Sequence, residues 1–254
     1  MRTVVIRASQ VAAAIGKNRF QPRSQLMDHL CKKFNPNQFI DLKTNQEKVG
    51  EILFESVKAR QILSKATQKQ AQDSKDSQKI LKIALKEISQ DSTINEMDKS
   101  LLLEHVKNKV NTTFGIRSEE RTAQKLATDH GMILKPDHKQ YSLNIANGGL
   151  YDYVVMGAID RFEYSQDGSS KTLIEIKNRT KRLFKKPVEY EVIQVQTYLE
   201  MVNLPLAKLV EHYNNETFTI EIKRDPEMWH ESILPGLEEF CLELDDKIGI
   251  NALM

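Results

Sequence analysis

Apolar and polar positions alternate most clearly between residues 154 and 177. The segment Val154-Val155-Met156-Gly157-Ala158-Ile159-Asp160-Arg161-Phe162 is β-branched and apolar enough for a strand. Ser165-Gln166-Asp167-Gly168-Ser169-Ser170 then supplies turn chemistry with an Asp-Gly hairpin signal, and Lys171-Thr172-Leu173-Ile174-Glu175-Ile176-Lys177 predicts the returning strand. Side chains two apart on a strand share a face. Glu175 and Lys177 therefore point one way, and Ile174 and Ile176 point the other way into a core. Downstream, Val192, Val195, Leu199 and Val202 recur at helical spacing. Strands follow at 207–213 and 217–223, an order that permits a right-handed crossover back into the same sheet. Asp225-Pro226-Glu227 opens a last helix with proline in its favoured first turn, turning Trp229, Ile233, Leu234, Leu237 and Phe240 toward the core. Upstream, the pattern predicts an extended start, a helix from about Ser9, a second helix around Ser24–Phe34, a helix from Gly115 to about Gly131 and a strand around 141–145.

Residues 51–110 stand apart. From Lys65 to Lys79 only Ala66 and Ala71 are apolar, which predicts a solvent-exposed helix or an excursion without a core. Ile80, Leu81, Ile83, Ala84, Leu85 and Ile88 then form one helical face. Thr93-Ile94-Asn95-Glu96 is a capping-box pattern opening a helix through about Val110, whose Met97, Leu101, Val106 and Val110 are expected to pack on the preceding helix as an αα-hairpin. The chain reads as a single domain over 1–254, with an N-terminal helical part (1–50), a helical insertion (51–110) and a catalytic core (111–254). An arm that guides DNA and an arm that docks a protein are both open readings of the insertion.

The chemistry is concentrated at Asp160, Glu175 and Lys177. Two carboxylates and an ammonium on one sheet face suit a hard divalent cation and an activated water, as phosphodiester hydrolysis requires. Glu221-Ile222-Lys223 repeats the acid-x-lysine triplet, but no aspartate lies between Asp167 and Asp225 to serve it. This second copy reads as an ordinary strand with one wet face.

Taken with Ser9-Gln10-Val11-Ala12-Ala13-Ala14-Ile15-Gly16 at the start, Glu119 near the head of the Gly115 helix, and Gln194 four residues before Tyr198, the Asp160…Glu175-x-Lys177 arrangement resembles the PD-(D/E)XK nuclease superfamily, in its lambda-exonuclease or YqaJ-like viral recombination branch. The resemblance covers residues 1–30 and 110–245, and Ile159 stands where the family usually has proline before the aspartate. It implies a restriction-endonuclease-like α/β fold, a mixed sheet flanked by helices. It also implies Mg²⁺, with Mn²⁺ able to substitute, held by Asp160, Glu175 and the Ile176 carbonyl, with Glu119 as ligand of a second metal. Lys177 would orient the attacking water, Gln194 would orient that water or a phosphate, and Tyr198 would brace the site. Ser9 with Arg7 or Arg19 would bind a terminal phosphate, and Asp152, eight residues before Asp160, would be an accessory acid. The substrate implied is the end of double-stranded DNA, degraded 5′ to 3′ in viral or phage recombination, with a single-strand annealing protein as partner and a ring-shaped homotrimer as assembly. A structure-specific endonuclease or resolvase on the same core, and a catalytically silent DNA-binding scaffold, are the alternatives. Retention of all three central residues argues against the silent scaffold.

Plain structural readings stand beside several of these. Ser9 can be a helix N-cap with Gly16 closing the same helix, and Glu119 a favourable charge on a helix dipole. Lys+Arg total 37 against 35 Asp+Glu, a net charge of +2, so bulk charge says nothing about nucleic acid. Its distribution says more: Arg179, Lys181, Arg182, Lys185 and Lys186 fall in a stretch without acids, suited either to phosphates or to a solvated loop. The two cysteines, Cys31 and Cys241, provide no disulfide framework, imply a reducing compartment and are too few for a four-cysteine iron–sulfur cluster. No signal-peptide pattern and no apolar run of the ~20 residues that span a membrane is present. A soluble intracellular protein is expected, in the cytoplasm or nucleus of an infected cell if viral.

Overall fold

The structure, a computed structural model, describes residues 2–69, 71–146 and 151–249. Two mixed sheets flanked by helices form the frame. The three-stranded sheet has the order β1-β4-β3, built from β1 (Arg2–Arg7), β3 (Gln140–Ala146) and β4 (Tyr151–Ala158). The five-stranded sheet has the order β2-β5-β6-β7-β8. Its strands are β2 (Ile133–Pro136), β5 (Arg161–Tyr164), β6 (Lys171–Asn178), β7 (Leu206–Tyr213) and β8 (Glu216–Lys223).

One expected strand is therefore two. The run from Val154 to Phe162 breaks at Ile159 and Asp160, with β4 in one sheet and β5 in the other. Ile159 is buried at the break, so the apolar pattern continues through it although the hydrogen-bonded ladder does not. The hairpin itself forms between β5 and β6, pairing Arg161 with Ile174 and Tyr164 with Lys171. Its turn is closed by Ser165 and Ser170, with Gly168 at φ +71° and Asp167 accepting from the Ser169 amide.

On β6, Ile174 and Ile176 are buried against Ala123 and Leu126 of α6 (Glu96–His130), as their alternation requires. The connection from β6 to β7 runs through α7 (Glu189–Val202), and the two strands pair in parallel, Lys177 opposite Glu211. The last helical stretch follows as α8 (Pro226–Met228), a π-helical turn (Trp229–Ile233) and α9 (Leu234–Gly249). Asp225 caps it by accepting from the Met228 amide at 2.8 Å, and Trp229, Ile233, Leu237 and Phe240 are buried.

The helices expected over 93–110 and 115–131 are one helix, α6. Gly115 in its interior costs about 1 kcal/mol. Burial of Val110, Phe114 and Leu126 on the same helix, each worth about 1.5–3 kcal/mol, outweighs that cost. Its cap is Asn95, accepting from the Asp98 amide, and not the expected Thr93. Thr93 instead donates to Asp91.

The remaining helices are α1 (Val11–Ala14), α2 (Arg23–Phe34), α3 (Asn45–Glu55), α4 (Val57–Gln68) and α5 (Ser74–Ser89). A second core gathers Val49, Ile52, Ile62, Ile80, Ile88, Leu102, Val106 and Val110 from α3 to α6, so four helices pack where a hairpin of two was expected. Met97 is 84% exposed and takes no part; the inward stripe of α6 runs through Leu102, Val106 and Val110. Among the described residues, no helix is long and apolar enough to cross a membrane.

Candidate active site

Asp160 lies at the break between the sheets, and its Oδ2 accepts from the Ile176 amide at 3.0 Å. The acid is thereby tethered to the middle of β6. Glu175, one residue earlier on β6, is 3% exposed; its Oε1 accepts from Lys177 Nζ at 2.6 Å. Lys177 also donates to Gln194 Oε1 at 3.2 Å, and Gln194 Nε2 donates to Tyr198 Oη at 3.1 Å. The strand pair and one face of α7 thus bring Asp160, Glu175, Lys177, Gln194 and Tyr198 into one chain of contacts.

Charge in this pocket is frustrated. Burial, with repulsion from Asp160, pushes the Glu175 carboxyl up to about 7 despite the Lys177 ammonium beside it. Burial likewise raises Asp160, opposed by the Ile176 amide. Burial works against the charge of Lys177, but the Glu175 carboxylate overcomes it and holds the ammonium above its ordinary range. Among the described residues, Glu175 Oε2 is buried without a hydrogen-bond partner. An anionic oxygen left so in a low-dielectric pocket is costly unless a cation meets it. These donors are hard carboxylate oxygens, so a divalent cation of the Mg²⁺ type fits them.

Glu119, expected as a second ligand, projects from α6 into the same field. Burial and the Glu175 charge raise its carboxyl, and its own charge raises that of Asp160. Among the described residues, however, no three His, Cys, Asp or Glu side chains are gathered as a closed metal cluster. Ile176 joins the site through its amide, while its side chain is buried on the α6 side. Asp152 stands on β4 in the other sheet, in register with Thr3. The Glu221-Ile222-Lys223 triplet lies on edge strand β8 with both charges exposed and Ile222 buried.

The basic stretch divides. Lys181, Arg182, Lys185 and Lys186 are exposed. Arg179, expected among the phosphate contacts, is instead committed to two buried carboxylates. It donates to both oxygens of Glu191 at 2.6 and 2.7 Å and to Glu211 Oε1 at 2.7 Å, and its guanidinium lies 4.3 Å from the Phe184 ring centroid. Glu211 Oε2 accepts from the Phe184 and Lys185 amides at 2.9 and 2.8 Å, so the carboxylates pin the loop that carries the exposed cations.

Ser9 is exposed within a 3-10 turn (Ala8–Gln10) and caps no helix. The turn is closed by Gln10 Oε1 accepting from the Arg7 amide at 3.0 Å. Gly16, at φ +74°, closes α1 as expected. Arg7 and Arg19 are exposed, and Arg19 stacks 4.7 Å from the Phe20 centroid.

Several contributors were missed by sequence reasoning. Asn178 donates to the Gly115 carbonyl at 3.1 Å and accepts from Thr122 at 2.7 Å, fastening the end of β6 to α6. Arg161 is buried beside Asp160 and pairs with Glu120. Gly157 gives Tyr198 its place: a Cβ there would lie 2.5 Å from Tyr198 Cε1 and 2.9 Å from Ala8 Cβ. A lone glycine inside a β-branched strand was the available signal for such a close approach.

No family model matches this sequence, and no curated protein matches it significantly. Solved structures do. An alkaline exonuclease, LHK-Exo from Laribacter hongkongensis, superposes with a TM-score of 0.52 at 16% identity, covering 96% of this chain and 90% of that one. A phage-related exonuclease from Haemophilus somnus 129PT gives a TM-score of 0.43 at 13% identity, covering 97% and 96%. The first likeness shows that the chain has the fold of that alkaline exonuclease, in keeping with the resemblance carried by its motifs.

Proposed function

We propose that this protein is a metal-dependent DNA exonuclease. The observation that carries the reading is the Asp160–Glu175 pair, joined through the Ile176 amide and presenting one unpartnered buried oxygen beside the Lys177 ammonium. Asp160 and Glu175, with the Ile176 carbonyl, would hold Mg²⁺ or Mn²⁺, and Glu119 stands by as ligand for a second ion. Bound there, the ion supplies polarisation of the phosphate and acidification of a water. Glu175 divides its work: Oε1 holds Lys177, and Oε2 is left for the cation. Lys177 stays protonated and, steadied by Gln194, orients the water and steadies charge building on the phosphate. Tyr198 keeps Gln194 in place from the floor. Exposed Lys181, Arg182, Lys185 and Lys186 would grip the backbone of the duplex, and Ser9 with Arg7 and Arg19 its terminal phosphate.

Fold likeness to an alkaline exonuclease supports an end-directed activity on DNA. The resemblance in the motifs extends the proposal to 5′-to-3′ polarity on duplex ends, a viral or phage recombination role, an annealing partner and a trimeric ring. The test is digestion of linear and covalently closed duplexes labelled at either end, with Mg²⁺ and with EDTA. Loss of label from linear DNA alone, abolished by EDTA, is expected. Cutting of the closed circle would instead indicate the endonuclease.

A further inference from the structure

At the outer end of α7 stands an aromatic rim that the hydrolytic chemistry leaves unused. Tyr190, Gln194 and Tyr198 are spaced by four and share one helical face, so Tyr190 lies one turn, roughly 6 Å along the axis, beyond Gln194. Burial and the Glu191 charge raise its phenol against the opposing charges of Arg179, Lys177 and Arg19, in keeping with its place one turn from Gln194, which accepts from Lys177. Phe20 meets Tyr190 edge to face, with centroids 5.8 Å apart and planes at 89°. Yet the Phe20 side chain is 60% exposed.

That exposure is built in. Lys17 pairs with Glu189 at 3.4 Å, Asn18 Oδ1 accepts from the Phe20 amide at 2.9 Å, and the Gln21 amide returns to the Asn18 carbonyl at 3.2 Å. The loop thus holds a large apolar ring in water at the mouth of the site, with a guanidinium alongside. Phe20 also forms one wall of a cleft of about 420 Å³ between α2 and α3. Gln25 and Asn45 on its walls offer donors and acceptors together, Asp28 and Glu104 line it beside Lys43 and Lys48, and Lys43 is held by Glu51 at 2.9 Å. Such a cleft suits the edges of bases better than a row of phosphates.

We propose that Phe20, braced by Tyr190, is a stacking subsite for an unpaired nucleobase of the strand being cut. The proposal rests on the nuclease reading above and adds what that reading lacks, a contact with a base. A base inside a duplex has both faces covered by its neighbours and a terminal pair has one, so a side chain stacks at an end, and most fully on a base that has left the helix. Phe20 therefore grips the frayed end, and does so without sequence preference because every base has a π-face.

The test uses duplexes carrying 2-aminopurine at the 5′-terminal or the 3′-terminal position, bound in Ca²⁺. The wild-type protein should quench one of the two probes. Phe20→Ala and Phe20→Leu should lose the quench and bind about tenfold more weakly, while Phe20→Trp keeps both. Phe20→Leu retains apolar bulk without a π-face, so it separates stacking from any folding defect. A full quench in Phe20→Leu, or its loss in Phe20→Trp, overturns the proposal. A wild-type protein that cleaves DNA in Mg²⁺ but quenches neither probe overturns the stacking subsite and leaves the nuclease standing. One that neither cleaves nor binds DNA overturns both.

Discussion

The Ile176 amide donates to Asp160 Oδ2 across 3.0 Å, tying the acid at the sheet break to the strand that carries Glu175 and Lys177. The relative position of the two carboxylates is therefore set by backbone and not by two independent rotamers. Holding charge-bearing groups in place before the reaction is the main lever an active site has for stabilising charge in the transition state.

Asp160→Asn and Glu175→Gln keep shape but remove the charge a hard cation requires. Each should reduce Mg²⁺-dependent cleavage to background. Adding Mg²⁺ should raise the melting temperature of the wild-type protein, because a ligand bound only by the folded state stabilises it. It should leave both variants unmoved. Undiminished Mg²⁺-supported turnover in either variant rules out the two-carboxylate site.

Lys177→Ala should lower cleavage by roughly 10²–10³-fold, the usual worth of a donor that stabilises charge in the transition state, whereas Lys223→Ala on the edge strand should remain near normal. Lys177→Ala also strips Glu175 of its partner in a buried pair, which costs on the order of 3 kcal/mol. The double variant Lys177→Ala/Glu175→Gln should regain stability and stay inactive. That split between melting and activity marks a chemical role and not a scaffold.

The β5–β6 hairpin, the inward turn of Ile174 and Ile176 on β6 and the Asp225 cap were legible because each follows from short-range rules: period-two alternation, an Asp-Gly turn, a proline in the first turn. The break at Ile159–Asp160 was not, because Ile159 is buried on either reading and only the change of hydrogen-bonding partner marks the boundary. Gly115 was misleading for the opposite reason, since tertiary packing overrides a local penalty of about 1 kcal/mol. The gathering of Asp160, Glu175, Lys177, Gln194 and Tyr198 was readable as a spaced pattern. The Arg179–Glu191–Glu211 cluster was invisible, because its members lie on three elements and each looks like an ordinary surface charge in sequence.

Gly157 faces the Tyr198 ring with no room for a methyl group. Gly157→Ala should displace Tyr198 and with it the Gln194 side chain that accepts from Lys177, at an overpacking cost of about 1–3 kcal/mol. Cleavage should fall even at temperatures where the variant is fully folded. Tyr198→Phe removes the hydroxyl but keeps the ring, so it should melt near the wild-type temperature. Normal activity and melting in Gly157→Ala would show that the close approach has no functional weight.

Glu47 accepts from Lys32 of α2 at 2.7 Å while closing the Thr44 cap of α3, so it joins the N-terminal helices to the insertion. These bonds, Lys32 first, hold its carboxyl down to about 2 from an ordinary 4.5. A depressed acid stabilises the fold above its unfolded value, and that contribution is lost as pH falls through the folded one. Glu47→Gln should therefore lower the melting temperature at pH 7, with the gap to wild type closing between pH 4.5 and about 2. A gap independent of pH would mean that shape, and not charge, makes this contact.

Ser9 separates starting on a DNA end from the cuts that follow. It is exposed in its 3-10 turn and caps no helix, so the usual penalty of about 1 kcal/mol for losing a cap does not apply. Ser9→Ala should melt at the wild-type temperature. If Ser9 with Arg7 and Arg19 receives a 5′-terminal phosphate, the variant should discriminate less between 5′-phosphorylated and 5′-hydroxyl ends while later turnover changes little. Arg19→Ala should show the same loss more strongly, because it removes a full charge from the pocket. Unchanged end preference in both variants would remove the N-terminal segment from end recognition and leave the exonuclease reading to rest on Asp160, Glu175 and Lys177 alone.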